Sequence, residues 1–289
     1  MKVVLFCGGM GTRIREAGDN IPKPMVPIGY RPIMWHLMKY YAHFGHKEFI
    51  LCLGYRGDVI KQYFLRYDEC ESNDFVLSHG GKKLELVNSD ISDWTITFAD
   101  TGANTTIGGR LKAAEKYLGG DQYFLANYCD GLTDLHLPTL LDHFQQRDKI
   151  ASFVCVKPNL SYHVVSVLPD GRVGEIKPIT DTDLRINGGF FLFKRDVFRY
   201  IRDGEDLVAE PFQRLMAENQ LLAYPYDGFL QCMDTFKDKQ RLDDLYMRGN
   251  PPWQVWKNGN GNGNGNGAGS ESTSRITQAR VPLSSIPRL

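Results

Sequence analysis

The feature that most limits how this chain can fold is an alternation. Between residues 3 and 156, short apolar runs repeatedly give way to stretches with helical spacing. Residues 3–7 (VVLFC) read as a strand, and residues 32–44 place Ile33, Leu37 and Tyr41 on one helical face with Met34 and Met38 beside it. Residues 49–53 are again strand-like, and residues 59–67 repeat the helical spacing through Ile60, Tyr63, Phe64 and Tyr67. Strands are predicted over 94–99, 123–127 and 150–156, with helices over 110–118 and 137–146 between them. This order argues for an α/β fold, a mostly parallel sheet with helices on both faces. Ligands of such sheets gather at the carboxyl ends of the strands, so the loops that follow them carry the chemistry.

From about residue 158 the pattern becomes richer in strands. VVSVLPDGRVGEI reads as a hairpin turning at Pro169, Asp170 and Gly171. NGGFFLF is a further strand and EPFQRLMAEN a helix. QLLAYPYDGFLQCMDT gives two strands around Asp227 and Gly228, and residues 236–248 close with a helix. Residues 258–269, a run of Asn-Gly pairs, have nothing apolar to bury and read as a flexible linker. The rest, to Leu289, is punctuated by Ser and Pro and is expected to be disordered.

Charge narrows the function. Lys and Arg number 34 and Asp and Glu 34, so no global basic field is present to recruit nucleic acid. No stretch approaches the ~20 apolar residues of a membrane helix, and the opening MKVVLFCGG meets glycine too early for a signal peptide. The six cysteines, Cys7, Cys52, Cys70, Cys129, Cys155 and Cys232, are scattered without CxxC spacing. They read as reduced thiols of a cytoplasmic protein.

The loop after the first strand, GGMGTR, excludes two common phosphate binders. A dinucleotide fingerprint needs a third glycine where Ile14 stands, and a Walker loop needs a glycine five positions after the first, which is absent. What remains is a glycine turn whose N–H groups can approach anionic oxygens, the forked cation Arg13, and Lys23 held between Pro22 and Pro24. The prolines fix much of the local backbone, so Lys23 is delivered with little entropy loss.

With GGMGTR followed by PKP, the chain resembles the sugar-1-phosphate nucleotidylyltransferases. NYCDG (127–131), INGGFF (186–191) and QCMDT (231–235) fall where that family keeps its remaining site segments, and the likeness covers roughly residues 1–257. The segments IPKPMVPIGYRPIMWHLMKYY, DTG with GGRLK (100–112), GFLQCMDT and PPWQVWK are most similar to the branch that uses CTP and glucose 1-phosphate.

The resemblance implies a Rossmann-like fold of the nucleotide-diphospho-sugar transferase type. It divides the chain into a nucleotide-binding half over about 1–157 and a sugar-phosphate-binding half over about 158–257. The implied reaction is attack by a sugar 1-phosphate on the α-phosphorus of CTP, giving CDP-glucose and pyrophosphate. Other readings open at this point are the same chemistry with UTP, dTTP or another sugar phosphate, and a non-catalytic nucleotide-sugar sensor.

By the same resemblance, Arg13, Lys23 and Lys177 act in catalysis, and Asp130 and Asp234 hold Mg²⁺. Nucleotide contacts fall to Phe6, Cys7, Gly8, Gly9, Met10, Gly11, Thr12, Arg13, Thr105, Arg110 and Cys129. Lys177, Asn187 and Gly188 meet the sugar phosphate, and a homo-oligomer is expected. Lys177 departs from the family's Glu-Lys-Pro pattern because Ile176 precedes it and Glu175 is displaced by one. Cys129 stands where glycine is common, and with no His placed to activate it the thiol reads as a small apolar filler. His43 and His46, at i,i+3 spacing, read as solvated or capping groups. Tyr63, Phe64 and Tyr67 read as core.

Overall fold

The computed structural model describes residues 1–9, 21–159 and 161–257. Met10, Gly11, Thr12 and Arg13, and the linker and tail over 258–289, lie outside the described residues. Strand β1 (Val3–Phe6) leads to α1 (Ile33–His43), β2 (Glu48–Leu53), α2 (Gly57–Leu65), β3 (Thr95–Asp100), α3 (Ile107–Ala114), β4 (Tyr123–Tyr128), α4 (Leu137–Arg147) and β5 (Ala151–Val156). The second half adds β6 (Ile186–Asn187), β7 (Phe191–Lys194), α5 (Glu210–Ala217), β8 (Leu221–Tyr226) and α6 (Phe236–Met247). These eight strands form one sheet. β3, β2, β1 and β4 are parallel neighbours in that order. β7 pairs antiparallel with both β4 and β5, β6 pairs antiparallel with β5, and β8 pairs parallel with β5 along its whole length. The mixed, mostly parallel sheet expected from the alternation is therefore what forms.

The sequence runs are continuously apolar because both faces of the sheet are covered. Val3, Leu5, Phe49, Leu51 and Leu125 face a core built with α1, α4 and Leu242 of α6. Val4, Phe6, Ile50, Cys52, Phe124 and Ala126 face a second core with Leu111 of α3 and Phe212 and Leu215 of α5. The predicted elements stand with small shifts of their ends. The helix expected from residue 110 begins earlier, at Ile107, because Thr106 caps it by accepting from the Gly109 N–H at 3.2 Å.

Two features beyond the central sheet matter for the site. A hairpin of Phe75–Ser78 and Lys83–Leu86, which the sequence reading left without an element, stands outside the sheet, as does the expected hairpin of His163–Val167 and Val173–Pro178. The two strands around Asp227 and Gly228 part company. β8 joins the central sheet, whereas Leu230–Cys232 pairs antiparallel with Gly131–Thr133, immediately after β4.

Strand order reverses at β1, with β2 on one side and β4 on the other. A crevice outside the carboxyl ends of two such strands is where α/β sheets bind ligands. Here those ends are Cys7, Gly8 and Gly9 after β1, and Cys129 and Asp130 after β4.

Candidate active site

Asp130 leaves the sheet at the end of β4. Asp234 arrives beside it because Cys232 is in register with Gly131 and the Met233 N–H donates to the Asp130 carbonyl at 2.8 Å. Asp234 is steadied from α6. Thr235 and Asp238 form a reciprocal capping box at the helix start, and Asp238 also accepts from the Asp234 N–H at 3.2 Å. Asp238 is held in turn by Gln231 Nε2 at 3.1 Å. The sequence reading missed Asp238, although the Thr-x-x-Asp spacing ahead of a helix was available to find it.

Lys23 completes the cluster. It begins a short 3₁₀ turn, Lys23–Met25, whose entry residue Pro22 is extended at φ −66° and whose Pro24 and Met25 are buried. The Met25 N–H donates to Pro22 at 2.8 Å and the Val26 N–H to Lys23 at 3.2 Å, which fixes the turn. The Lys23 ammonium donates to Asp130 Oδ2 and, at 2.7 Å, to Asp234 Oδ1. Burial works against that charge, but Asp130 and Asp234 together outweigh it and hold Lys23 above the usual lysine range.

The glycine turn rests on Arg110. The guanidinium is buried, 3% exposed, and donates to the carbonyls of Gly8 (3.3 Å), Leu53 (3.1 Å) and Ala103 (3.1 Å) and to Thr101 Oγ1 (2.7 Å). It fills the space where side chains on Gly8 and Gly54 would stand, whereas Gly9 faces open space. Burial lowers its pKa below the usual arginine value. Thr105 tucks its hydroxyl back onto the Thr101 carbonyl in the same loop. Phe6 and Cys7 point their side chains into the cores, so of residues 6–9 it is the backbone that remains to face the crevice.

Cys129 is packed under the site. Its sulfur lies 3.1 Å from that of Cys7, and burial first, then the Cys7 contact, pushes the thiol well above the usual range. It sits as the filler its neighbours require.

The sugar-side residues fall into two groups. Asn187 ends β6, where the strand breaks before β7. Its Oδ1 accepts from the Gly189 N–H at 2.9 Å and its Nδ2 donates to the Tyr128 hydroxyl at 3.4 Å. The break is a bulge with Gly189 and Phe190 at φ +77° and +49°, and the buried Asn127 pins it by accepting from the Phe190 N–H at 2.9 Å. Gly188 packs against Leu230. Lys177 lies on the outlying hairpin, half-exposed, with Nζ 3.2 Å from Glu175 Oε1. Among the described residues, the structure thus brings Lys23, Asp130 and Asp234 into contact and seats Arg110 behind Gly8. Lys177 is paired with Glu175 on a separate element.

A cavity of about 360 Å³ lies elsewhere, around Arg31, Trp35, Asp90, Tyr246 and Trp256. None of the three converging residues lines it, and its Arg31 and Asp90 are already engaged with Ser72 and other partners.

The sequence pattern of the nucleotidyl transferase family matches residues 2–245. The chain is 36% identical over 258 residues to the probable glucose-1-phosphate cytidylyltransferase of Bacillus subtilis, covering 89% of this chain and all of that one. It is 36% identical over 263 residues to the glucose-1-phosphate cytidylyltransferase of Salmonella typhimurium, again over 89% of this chain and the whole of the relative. Among solved structures, a UDP-glucose pyrophosphorylase complexed with UDP-glucose superposes with a TM-score of 0.63 at 14% identity, covering 86% of this chain and 98% of that one, which speaks for a common fold.

Proposed function

The chain belongs to the nucleotidyl transferase family, and from that premise we propose that it transfers a cytidylyl group from CTP to α-D-glucose 1-phosphate, giving CDP-glucose and pyrophosphate. The observation that carries the choice of base and sugar is the 36% identity, over 89% of the chain, to cytidylyltransferases that act on glucose 1-phosphate. In the reaction a sugar-phosphate oxygen attacks the α-phosphorus of CTP, a new P–O bond forms, and the bond to the bridging oxygen breaks to release pyrophosphate. Two polyanions must meet in line while charge builds on the leaving group, so positioning and electrostatics carry the rate.

The chain supplies both. Gly8 and Gly9 present backbone to the nucleotide, Arg110 holds Gly8 from behind, and Thr105 steadies the loop around Thr101 on which Arg110 also rests. Arg13 and Lys23 offset charge on the phosphates. Asn187 and Gly188 stand at the strand break to meet sugar hydroxyls, and Lys177 meets the sugar phosphate from its hairpin.

Members of this family generally use a divalent metal ion. Two hard carboxylates converge on one point here, and among the described residues no third His, Cys, Asp or Glu joins them. That set fits Mg²⁺, which takes one or two carboxylates and completes its shell with phosphate oxygens and water. Asp130 and Asp234 would hold it, and it would supply charge neutralisation at the phosphates.

Among the described residues no helix is long and apolar enough to cross a membrane. Action in the cytoplasm, as a homo-oligomer supplying a CDP-sugar for surface-polysaccharide synthesis, completes the proposal. Pyrophosphate release with each nucleoside triphosphate against a panel of sugar 1-phosphates tests it. The highest kcat/KM is expected with CTP and glucose 1-phosphate. A preference for UTP or dTTP, or no turnover with any pair, would overturn it.

A further inference from the structure

Two carboxylates held side by side at the end of paired strands repel each other, and something must compensate. In this structure the compensating charge comes from the chain itself. The Lys23 ammonium bridges Asp130 Oδ2 and Asp234 Oδ1, the two carboxylates that would hold a divalent ion. We propose that Lys23 is an exchangeable internal cation, which keeps Asp130 and Asp234 together until the nucleotide arrives and then yields its position to the incoming divalent ion. The inference rests on the reading of Asp130 and Asp234 as the metal pair.

Charge and anchoring carry the argument. Two carboxylates and one ammonium leave a net charge of −1, little attraction for a dication that must shed water to bind. With no third acidic or imidazole ligand among the described residues, a free ion gains too little at this site to evict the ammonium. Phosphate oxygens change that balance twice. They complete the ion's coordination, and they offer the displaced ammonium a new counter-charge. The backbone of Lys23 cannot follow, because Pro22, Pro24 and the two turn hydrogen bonds fix it, so the exchange is a swing of the four-carbon stem alone. Metal and nucleotide binding become positively coupled through one side chain, and by reciprocity each tightens the other.

The test is the affinity for Mn²⁺ alone, read from the free-ion electron paramagnetic resonance signal, with no nucleotide and no turnover required. Lys23→Met should bind Mn²⁺ about tenfold or more tighter than wild type, within the usual span of coupling between sites. Lys23→Arg, which keeps a cation in place, should stay close to wild type. Adding CTP should tighten wild type strongly and Lys23→Met much less. Equal Mn²⁺ affinity of Lys23→Met and wild type would overturn the proposal. Circular dichroism checks the fold, and if the Met variant does not fold, Lys23→Gln takes its place under the same criterion. The outcome is separable from the catalytic reading. Absence of turnover in the wild type overturns the reaction whatever Mn²⁺ does, whereas a CTP-active wild type with an unchanged Lys23→Met affinity overturns the exchange alone.

Discussion

A Cβ built on Gly8 would lie 2.1 Å from Nη1 of Arg110, a residue 102 positions later in the chain. The start of the glycine turn is thus shaped by a buried cation pressed against its back. Gly8→Ala is expected to displace either the turn or the guanidinium and to lower kcat/KM by up to about 10²-fold, the scale of a ~1 Å error in positioning. Arg110→Met removes the charged donor that the carbonyls of Gly8, Leu53 and Ala103 share; Leu53 keeps Thr101 and Gly8 keeps the Tyr55 N–H as donors, so the cost is expected at about 1–3 kcal/mol in all. The double variant should be less damaged than the sum of the singles by up to about 3 kcal/mol, because removing the guanidinium makes room for the new methyl. Urea midpoints of the four proteins decide it, and strict additivity would refute the contact.

Asp130→Asn and Asp234→Asn should each cost on the order of 3 kcal/mol of transition-state stabilisation, the scale of one lost preorganised electrostatic contact. The loss should appear in kcat at saturating substrates. Near-normal turnover in both variants would remove them from the role of metal pair.

Thr235→Ala breaks the capping box that steadies Asp234. Stability is expected to fall by about 1 kcal/mol, the usual worth of such a cap, and the metal concentration for half-maximal rate should rise with it. Thermal melts and a metal titration measure the two effects. A stability change without any change in metal dependence would confine the cap to the helix.

His36 is a buried neutral histidine. Its Nδ1 accepts from Trp253 Nε1 at 3.4 Å and its Nε2 sits 3.0 Å from the Ile28 carbonyl, so the proton belongs on Nε2. Burial, with the nearby Lys257 and Arg31 charges adding to it, lowers its pKa from 6.5 to about 4. The folded value lies below the unfolded one, so between them the unfolded chain binds more protons. Stability is complete above about pH 6.5 and is lost as pH falls towards 4, by an amount on the order of 3 kcal/mol. Urea denaturation at pH 7 and pH 5 should show that slope, and His36→Gln should flatten it.

How much of this could be read from the sequence depends on how local each cause is. The place of Asp130 at the end of β4 was legible because it follows a strongly apolar run, and the alternation of strands and helices carried the mostly parallel sheet. Lys23 was legible as an anchored cation from its flanking prolines alone. The seating of Arg110 was not, because nothing in GGRLK announces that its guanidinium turns inward beneath two glycines of distant loops. The bulge at Gly189 and Phe190 escaped for a similar reason, since a phenylalanine at positive φ is imposed by the Asn127 clamp from another strand. The hairpin of Phe75–Ser78 and Lys83–Leu86 carries exposed Phe75, Val76, Leu77 and Leu84 and lacks the one-sided alternation that marks a strand.

The pairing of Leu230–Cys232 with Gly131–Thr133 also fixes when in the life of the chain the site comes into being. Synthesis runs from the N-terminus, and domains tend to fold in that direction. A nascent chain that has emerged only through residue 229 already holds the glycine turn, Lys23 and Asp130, yet lacks the strand that delivers Asp234. Joining the two strands closes a loop of about a hundred residues, a long-range contact of the kind that forms late. The site therefore cannot assemble before nearly the whole folded body exists, and incomplete translation products hold a single carboxylate where the finished protein holds two.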